Sequence, residues 1–195
     1  MSSYSLKGLD PLCPPEILDL QRQIETPYLD FNGCSKTGSL LIHHSIAKET
    51  EQIFRAIINF GFPIARIDPL DEYIDPLTGK WCDYRSMQAN NCSAFNYRSM
   101  IHKTKLSYHA LGLAVDINPM NNPFIKKNKI IPSGAIYKPG MPGVLTSEHP
   151  VVKLFEDHGW IWGGHFTEIK DYHHFQKFHS DLDYWENQLR ESHEC

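Results

Sequence analysis

The sequence predicts an α+β fold, and three observations carry that reading. From Lys48 to Phe60 the apolar residues Ile53, Phe54, Ile57 and Ile58 recur at spacings of three and four, the mark of a one-faced helix. Leu113-Ala114-Val115-Asp116-Ile117 alternates instead, with Leu113, Val115 and Ile117 on one face and Asp116 on the other, as in a half-buried strand. Past residue 150 the two patterns recur: Pro150 opens a second helix, and Trp160-Ile161-Trp162 reads as a second strand.

Taken in order, residues 1–45 are rich in Pro, Gly, Ser and Asp and carry no strong period, so they read as an irregular lead-in to a domain over 46–195. The helix over 48–60 stops at Gly61. Phe62 to Ile67 reads as a short strand, and Asp68-Pro69, Asp75-Pro76 and Thr78-Gly79 then mark a turn-rich loop reaching about Asn91. Loops of that length usually carry function or disorder. The strand through Val115 ends at Asn118-Pro119, and the stretch to Thr146 is again punctuated by Pro and Gly. Val151, Val152, Leu154 and Phe155 line the helix that Gly159 ends. Trp160-Ile161-Trp162 with Gly163-Gly164 reads as strand and bend, Tyr172 to Phe178 as strand, and Leu182 to Arg190 as a closing helix. There is no internal repeat.

Composition narrows the class. At 195 residues, 41% hydrophobic and 22% charged, the chain fits one ordinary globular domain with or without extensions. The net charge of -4 and a single short basic stretch, Lys126-Lys127-Asn128-Lys129, argue against nucleic-acid binding. No apolar run approaches the roughly 20 residues that span a bilayer. Five scattered cysteines, Cys13, Cys34, Cys82, Cys92 and Cys195, form no CxxC pair, which argues against a thiolate-bound metal; Cys82 and Cys92 are the pair a disulfide would join. The first residues lack a basic start followed by an apolar core, so no secretory leader is read there.

Four residues carry candidate chemistry: His109, Asp116, Asp171 and His174. Two imidazoles and one carboxylate leave a tetrahedral zinc with a fourth position for water, the arrangement of a catalytic site, and the spare carboxylate is a candidate base. Glycine at 112 lets the chain turn between His109 and Asp116, which lie seven apart. Against this stands the number of histidines, eleven: any one of them is more often a surface or hydrogen-bonded residue than a ligand, and His43-His44 read that way. A carboxylate on an otherwise apolar strand favours a metal, since a buried carboxylate needs a partner.

The run Ser107-Tyr108-His109-Ala110-Leu111-Gly112-Leu113-Ala114-Val115-Asp116-Ile117-Asn118-Pro119, with Ser93-Ala94-Phe95-Asn96-Tyr97-Arg98 before it and Asp171-Tyr172-His173-His174-Phe175 after it, resembles the VanY-type D-alanyl-D-alanine carboxypeptidase family of zinc peptidases. That family also includes the L-alanyl-D-glutamate endopeptidases of phage lysins. The resemblance runs from about Phe62 to Gln176 and takes in Asn122-Pro123 and Gly159-Trp160-Ile161-Trp162-Gly163-Gly164. It implies a small antiparallel sheet flanked by helices, as in the zinc-binding domain of hedgehog proteins, and Zn2+ held by His109, Asp116 and His174 in a peptidase domain over 46–195. The family pattern D-x-x-H-F selects His174 over its neighbour His173, which then sits behind the ligands or at the surface. His165 departs from the pattern and would line the cleft without binding metal.

The same resemblance makes Asp171 the base and Arg98 the partner of the oxyanion, and gives Ser107 a part in holding the loop or the substrate. Tyr97, Tyr108, Trp160 and Trp162 read as packing. The substrate it implies is the stem peptide of peptidoglycan, cut at an L-alanyl-D-glutamate or D-alanyl-D-alanine bond by a monomer. An Asp base, where the dipeptidase branch has Glu, favours the endopeptidase. The competing class is a zinc-stabilised binding module for cell wall or protein that has lost catalysis; retention of Asp171 and Arg98 argues against it. A cell-wall, periplasmic or secreted location would follow if a leader had been removed, and otherwise a cytoplasmic one with release as in phage lysins.

Overall fold

In the computed structural model, which describes residues 5–98 and 105–191, the first elements are a short helix and a long hairpin rather than an irregular lead-in. Helix α1 (Pro15–Asp19) leads into strands β1 (Gln21–Leu29) and β2 (Ser35–His43), paired antiparallel from Gln21 opposite His43 to Leu29 opposite Ser35. The start of β2 is exposed, but Leu40, Leu41 and Ile42 are buried, and with Ile24 and Tyr28 they join the main core. The expectation for residues 1–45 is thereby corrected. A ribbon that is solvated over half its length shows no clean apolar alternation, and Pro27 within β1 is a further signal against strand.

The remaining elements are α2 (Ala47–Ile57), α3 (Asp83–Gln88), β3 (Ala114–Asp116), β4 (Phe124–Lys126), β5 (Lys129–Ile131), α4 (Pro150–Asp157), β6 (Ile161–Trp162), β7 (Lys170–Asp171), β8 (His174–Gln176) and α5 (Ser180–Glu191). Besides the hairpin there are two small antiparallel sheets, in the orders β3-β8-β6 and β5-β4-β7. The fold is therefore α+β, with helices around short antiparallel sheets. Helix α2 buries Ile53, Phe54 and Ile57, tightens into a 3-10 turn over Ile58–Phe60 and ends on Gly61 at a left-handed φ of 62°, as its sequence reads.

Three readings change. Phe62 to Ile67 forms no strand, only isolated bridges from Pro63 to Leu29 and from Arg66 to Asn91. The turn-rich stretch after it contains α3, and the basic run 126–129 is the tight turn joining β4 to β5, with Lys127 at a φ of 52°. The strand expected from Tyr172 is ordered as strand only at His174–Gln176, because the chain turns at residues 172 and 173.

Phe54, Phe155 and Phe175 are among the largest fully buried side chains. Phe155 of α4 stacks on Phe175 of β8 with ring centroids 4.1 Å apart, and Trp160 meets Phe155 edge-on. The Trp160 indole donates to Glu49 of α2, which also takes the Lys177 ammonium at 2.6 Å, so the two helices and β8 close on one another. Cys13, Cys34, Cys82 and Cys92 are free thiols, so Cys82 and Cys92 are not bridged; Cys195 lies outside the described residues. No helix among the described residues is long and apolar enough to cross a membrane.

Candidate metal centre and active site

Strand register brings the first two groups together. Asp116, the last residue of β3, is the direct cross-strand partner of His174, the first residue of β8. On its other edge Asp116 bridges to the backbone of Ser93, so β3 is covered on both sides. The half-buried strand of the sequence reading is thus wholly buried, and Asp116 is only 2% exposed. His109 enters from the 3-10 turn Tyr108–Leu111, whose start is capped by Ser107: its Oγ accepts from His109 N at 3.3 Å. The turn ends on Gly112 at a left-handed φ of 66°, where a Cβ would sit 2.2 Å from Gln21 Oε1 and 2.8 Å from His43 N. Glycine is needed there both for its backbone and for the close approach of the hairpin.

The three side chains converge on one point. His109 Nε2 lies 3.2 Å from Asp116 Oδ1 and 3.2 Å from His174 Nδ1, and His174 Nδ1 lies 3.0 Å from Asp116 Oδ1. Their outward nitrogens are fixed: His109 Nδ1–H donates to the Ala94 carbonyl at 2.5 Å, and His174 Nε2–H donates to Gln176 Oε1 at 3.1 Å. A neutral imidazole has one N–H and one lone pair, so both lone pairs point inward, at each other and at a carboxylate. Three acceptors aimed at one another call for a cation. A tetrahedral zinc with donors at about 2.0 Å has donor-to-donor edges of about 3.3 Å, close to the separations found. The residues present therefore fit zinc, with the outer-sphere anchoring that metal-bound histidines characteristically have.

Asp171 and His173 adjoin this trio. His173 is buried; its Nδ1–H donates to the Asn122 carbonyl at 2.8 Å, and its Nε2 lies 2.9 Å from Asp171 Oδ1 and 3.8 Å from Asp116 Oδ2. The turn at residues 172 and 173 is what lets both neighbouring histidines face the same region. The His173 imidazole thus pairs with Asp171 Oδ1, which has no other partner among the described residues. Asp171 is held on β7 by pairing with Phe124, and Gly163 packs against it so closely that a Cβ would fall 2.4 Å from Asp171 O.

Electrostatics keeps both carboxylates ionised. In the metal-free chain burial acts to raise the Asp116 pKa, but the imidazoles of His109, His173 and His174 around it outweigh burial and hold the carboxyl well below the usual range, as a bound cation in their midst would. At Asp171 burial is likewise outweighed, chiefly by His173, and the pKa is lowered. Burial opposes the charged form of His173, yet Asp171 and Asp116 push its pKa up to about 10, so it is a cation at neutral pH. In the metal-free chain the His174 pKa is also raised: burial acts against it, and the hydrogen bond that a protonated ring gives Asp116 prevails, a proton that a bound zinc would displace.

Among the residues named from sequence, His109, Asp116 and His174 cluster, Asp171 adjoins them through His173, and Ser107 caps the turn presenting His109. Arg98 is not in contact with the cluster. Its guanidinium pairs with Asp83 of α3 at 2.9 Å, its Nε is buried without a partner among the described residues, and it lines a cavity of about 120 Å³ with Asn96 and Tyr97. His165 is exposed and pairs with Glu156 at 2.9 Å. Trp160 and Trp162 are core residues. Sequence reasoning missed Gln176 and the anchoring part of Asn122, whose side-chain amide holds the Ile117, Asn118 and Gly143 carbonyls. Only its place two residues after His174 on a strand, hence on the same face, marked Gln176.

Fold and site together define a candidate metal centre of two imidazoles and a carboxylate with a second carboxylate at its edge. Residues 101–177 match the family model described as D-alanyl-D-alanine carboxypeptidase. The matched stretch spans His109, Asp116, Asp171 and His174, begins beyond Arg98, and supports a peptidase over the part of the chain that carries the cluster. No curated protein and no solved structure matches the chain.

Proposed function

We propose that this chain is a zinc-dependent peptidase that hydrolyses a stem-peptide bond of peptidoglycan, L-alanyl-D-glutamate or D-alanyl-D-alanine. The observation that carries the reading is the inward-facing trio of His109, Asp116 and His174 with an ionised Asp171, paired to His173, beside it. His109, Asp116 and His174 would hold the zinc, which would supply Lewis acidity to a water, bringing its pKa to around 7, and to the scissile carbonyl. His109 and His174 donate lone pairs, and their outward bonds to Ala94 and Gln176 fix the rings. Asp171 Oδ1 takes the proton of the attacking water and passes it to the leaving amine. His173, cationic between the two carboxylates, keeps Asp171 ionised and aimed. Arg98 pairs with Asp83 through one guanidinium nitrogen, and its remaining N–H groups are the donors it would offer the oxyanion.

The test pairs zinc analysis with digestion of purified peptidoglycan and mass spectrometry of the new termini. Asp171→Ala is expected to keep its zinc at the trio and to lose about 10² to 10⁴ in rate. His109→Ala is expected to lose that ion. Undiminished hydrolysis by Asp171→Ala would remove the base, and new termini at neither bond would remove the substrate.

A further inference from the structure

A second group of candidate ligating side chains shares no residue with the trio: His43 at the end of β2, His179 just before α5, and Asp181 in its first turn. The His43 side chain is fully buried, and its Nε2 lies 3.1 Å from Asp181 Oδ2. Asp181 Oδ1 lies 3.4 Å from His179 Nδ1, so the carboxylate is shared between two imidazoles whose centroids are 4.8 Å apart. One ligand atom from each of the three lies within 4.8 Å of the others. We propose that His43, His179 and Asp181 form a second site for a divalent transition metal such as zinc, fastening the end of the hairpin to the C-terminal helix.

The chemistry favours such an ion. Two imidazoles and a carboxylate suit zinc and its neighbours rather than magnesium or calcium, which prefer all-oxygen shells. Ser45 Oγ lies 2.7 Å from His43 Nδ1 and can accept the Nδ1 proton, the tautomer that turns the Nε2 lone pair towards Asp181 and His179. The opposite tautomer, with Ser45 N–H donating to Nδ1 at 3.3 Å and Nε2–H donating to Asp181, would make the same contacts a metal-free clasp. In that clasp His179 accepts from Asp181 N at 3.3 Å and stands 3.4 Å from its carboxylate, whereas the metal site takes one ligand atom from each of the three groups. The spacing is looser than in the trio, but His179 and Asp181 are each about a third exposed, and long-range closure needs only their side chains to swing towards a fixed His43. The site joins residues far apart in sequence, and α5 packs on the turn that presents His109.

Metal content measured by mass spectrometry on zinc-equilibrated, desalted protein decides the matter. Wild type is expected to bind two ions per chain, and His179→Ala, Asp181→Asn and His109→Ala one each. The His179 and Asp181 replacements are at partly exposed positions, and circular dichroism establishes that they fold; His43 is left intact because it is buried. As a second measurement, zinc is expected to raise the melting temperature of His109→Ala but not of His109→Ala/His179→Ala. One ion in wild type that His109→Ala removes, or two ions retained by His179→Ala, would overturn the proposal. A single ion lost with His179→Ala and kept with His109→Ala would support this site and count against the trio as a metal centre.

Discussion

Asp116 shows how one residue can be legible for its chemistry and misread for its surroundings. Its place on an apolar strand flagged a carboxylate in need of a partner, yet alternation put it on an open face, whereas the Ser93 bridge and β8 enclose it. What encloses a side chain is decided by segments far away in sequence, and no local period records them. The same limit hid Gln176, whose value comes from accepting the His174 Nε2 proton at 3.1 Å. Gln176→Leu keeps the shape and removes the acceptor, so the His174 ring loses the bond that fixes its tautomer. Zinc affinity at the trio is expected to fall by about 10- to 100-fold, measured by competition with a chromophoric chelator. Unchanged affinity would mean that packing alone orients the ring.

Elements with strong local signals were read well. Helices α2 and α4 have apolar faces and stop at glycines, and the order of the motifs around His109, Asp116, Asp171 and His174 carries the candidate site. Short strands of two or three residues had no such signal, because a period needs length to be seen: β4, β5 and β7 pass as loop. One cap has a pH consequence. His149 precedes Pro150 and caps α4 by accepting Val151 N–H on Nδ1 at 3.2 Å, which requires a neutral ring. Burial lowers its pKa below the ordinary 6.5, so the unfolded chain takes up a proton first as the medium is acidified. The stabilisation is full above about pH 6.5 and is lost as pH falls through the lowered folded value. His149→Asn keeps a capping acceptor that does not titrate, and its fall in melting temperature between about pH 7.5 and about pH 5.5 is expected to be smaller than that of wild type by roughly 1–3 °C. An equal fall in both proteins would show that His149 is not the titrating cap.

At the scale of the whole molecule the hairpin decides where the folding unit begins. The composition of residues 1–45 suggested an irregular lead-in, but Ile24, Tyr28, Leu40, Leu41 and Ile42 are in the same core as Phe155 and Phe175. Each buried side chain of this size contributes about 1.5–3 kcal/mol, so the five together contribute roughly 8–15 kcal/mol, as much as the whole net stability of an ordinary domain, about 5–15 kcal/mol. The hairpin also carries part of the site's support. His43 N donates to the Gly112 carbonyl at 3.0 Å, and Gln21 donates to the Leu111 carbonyl at 3.2 Å, so the turn that presents His109 rests against both strands. Removing residues 1–45 would expose the α2 face and release that turn. The fragment 46–195 is therefore expected to show no cooperative unfolding transition in urea and no stoichiometric zinc uptake, whereas a chain starting at Lys7 should keep both. A soluble fragment 46–195 that binds zinc and unfolds cooperatively would show instead that the hairpin is an accessory packed on a self-sufficient domain.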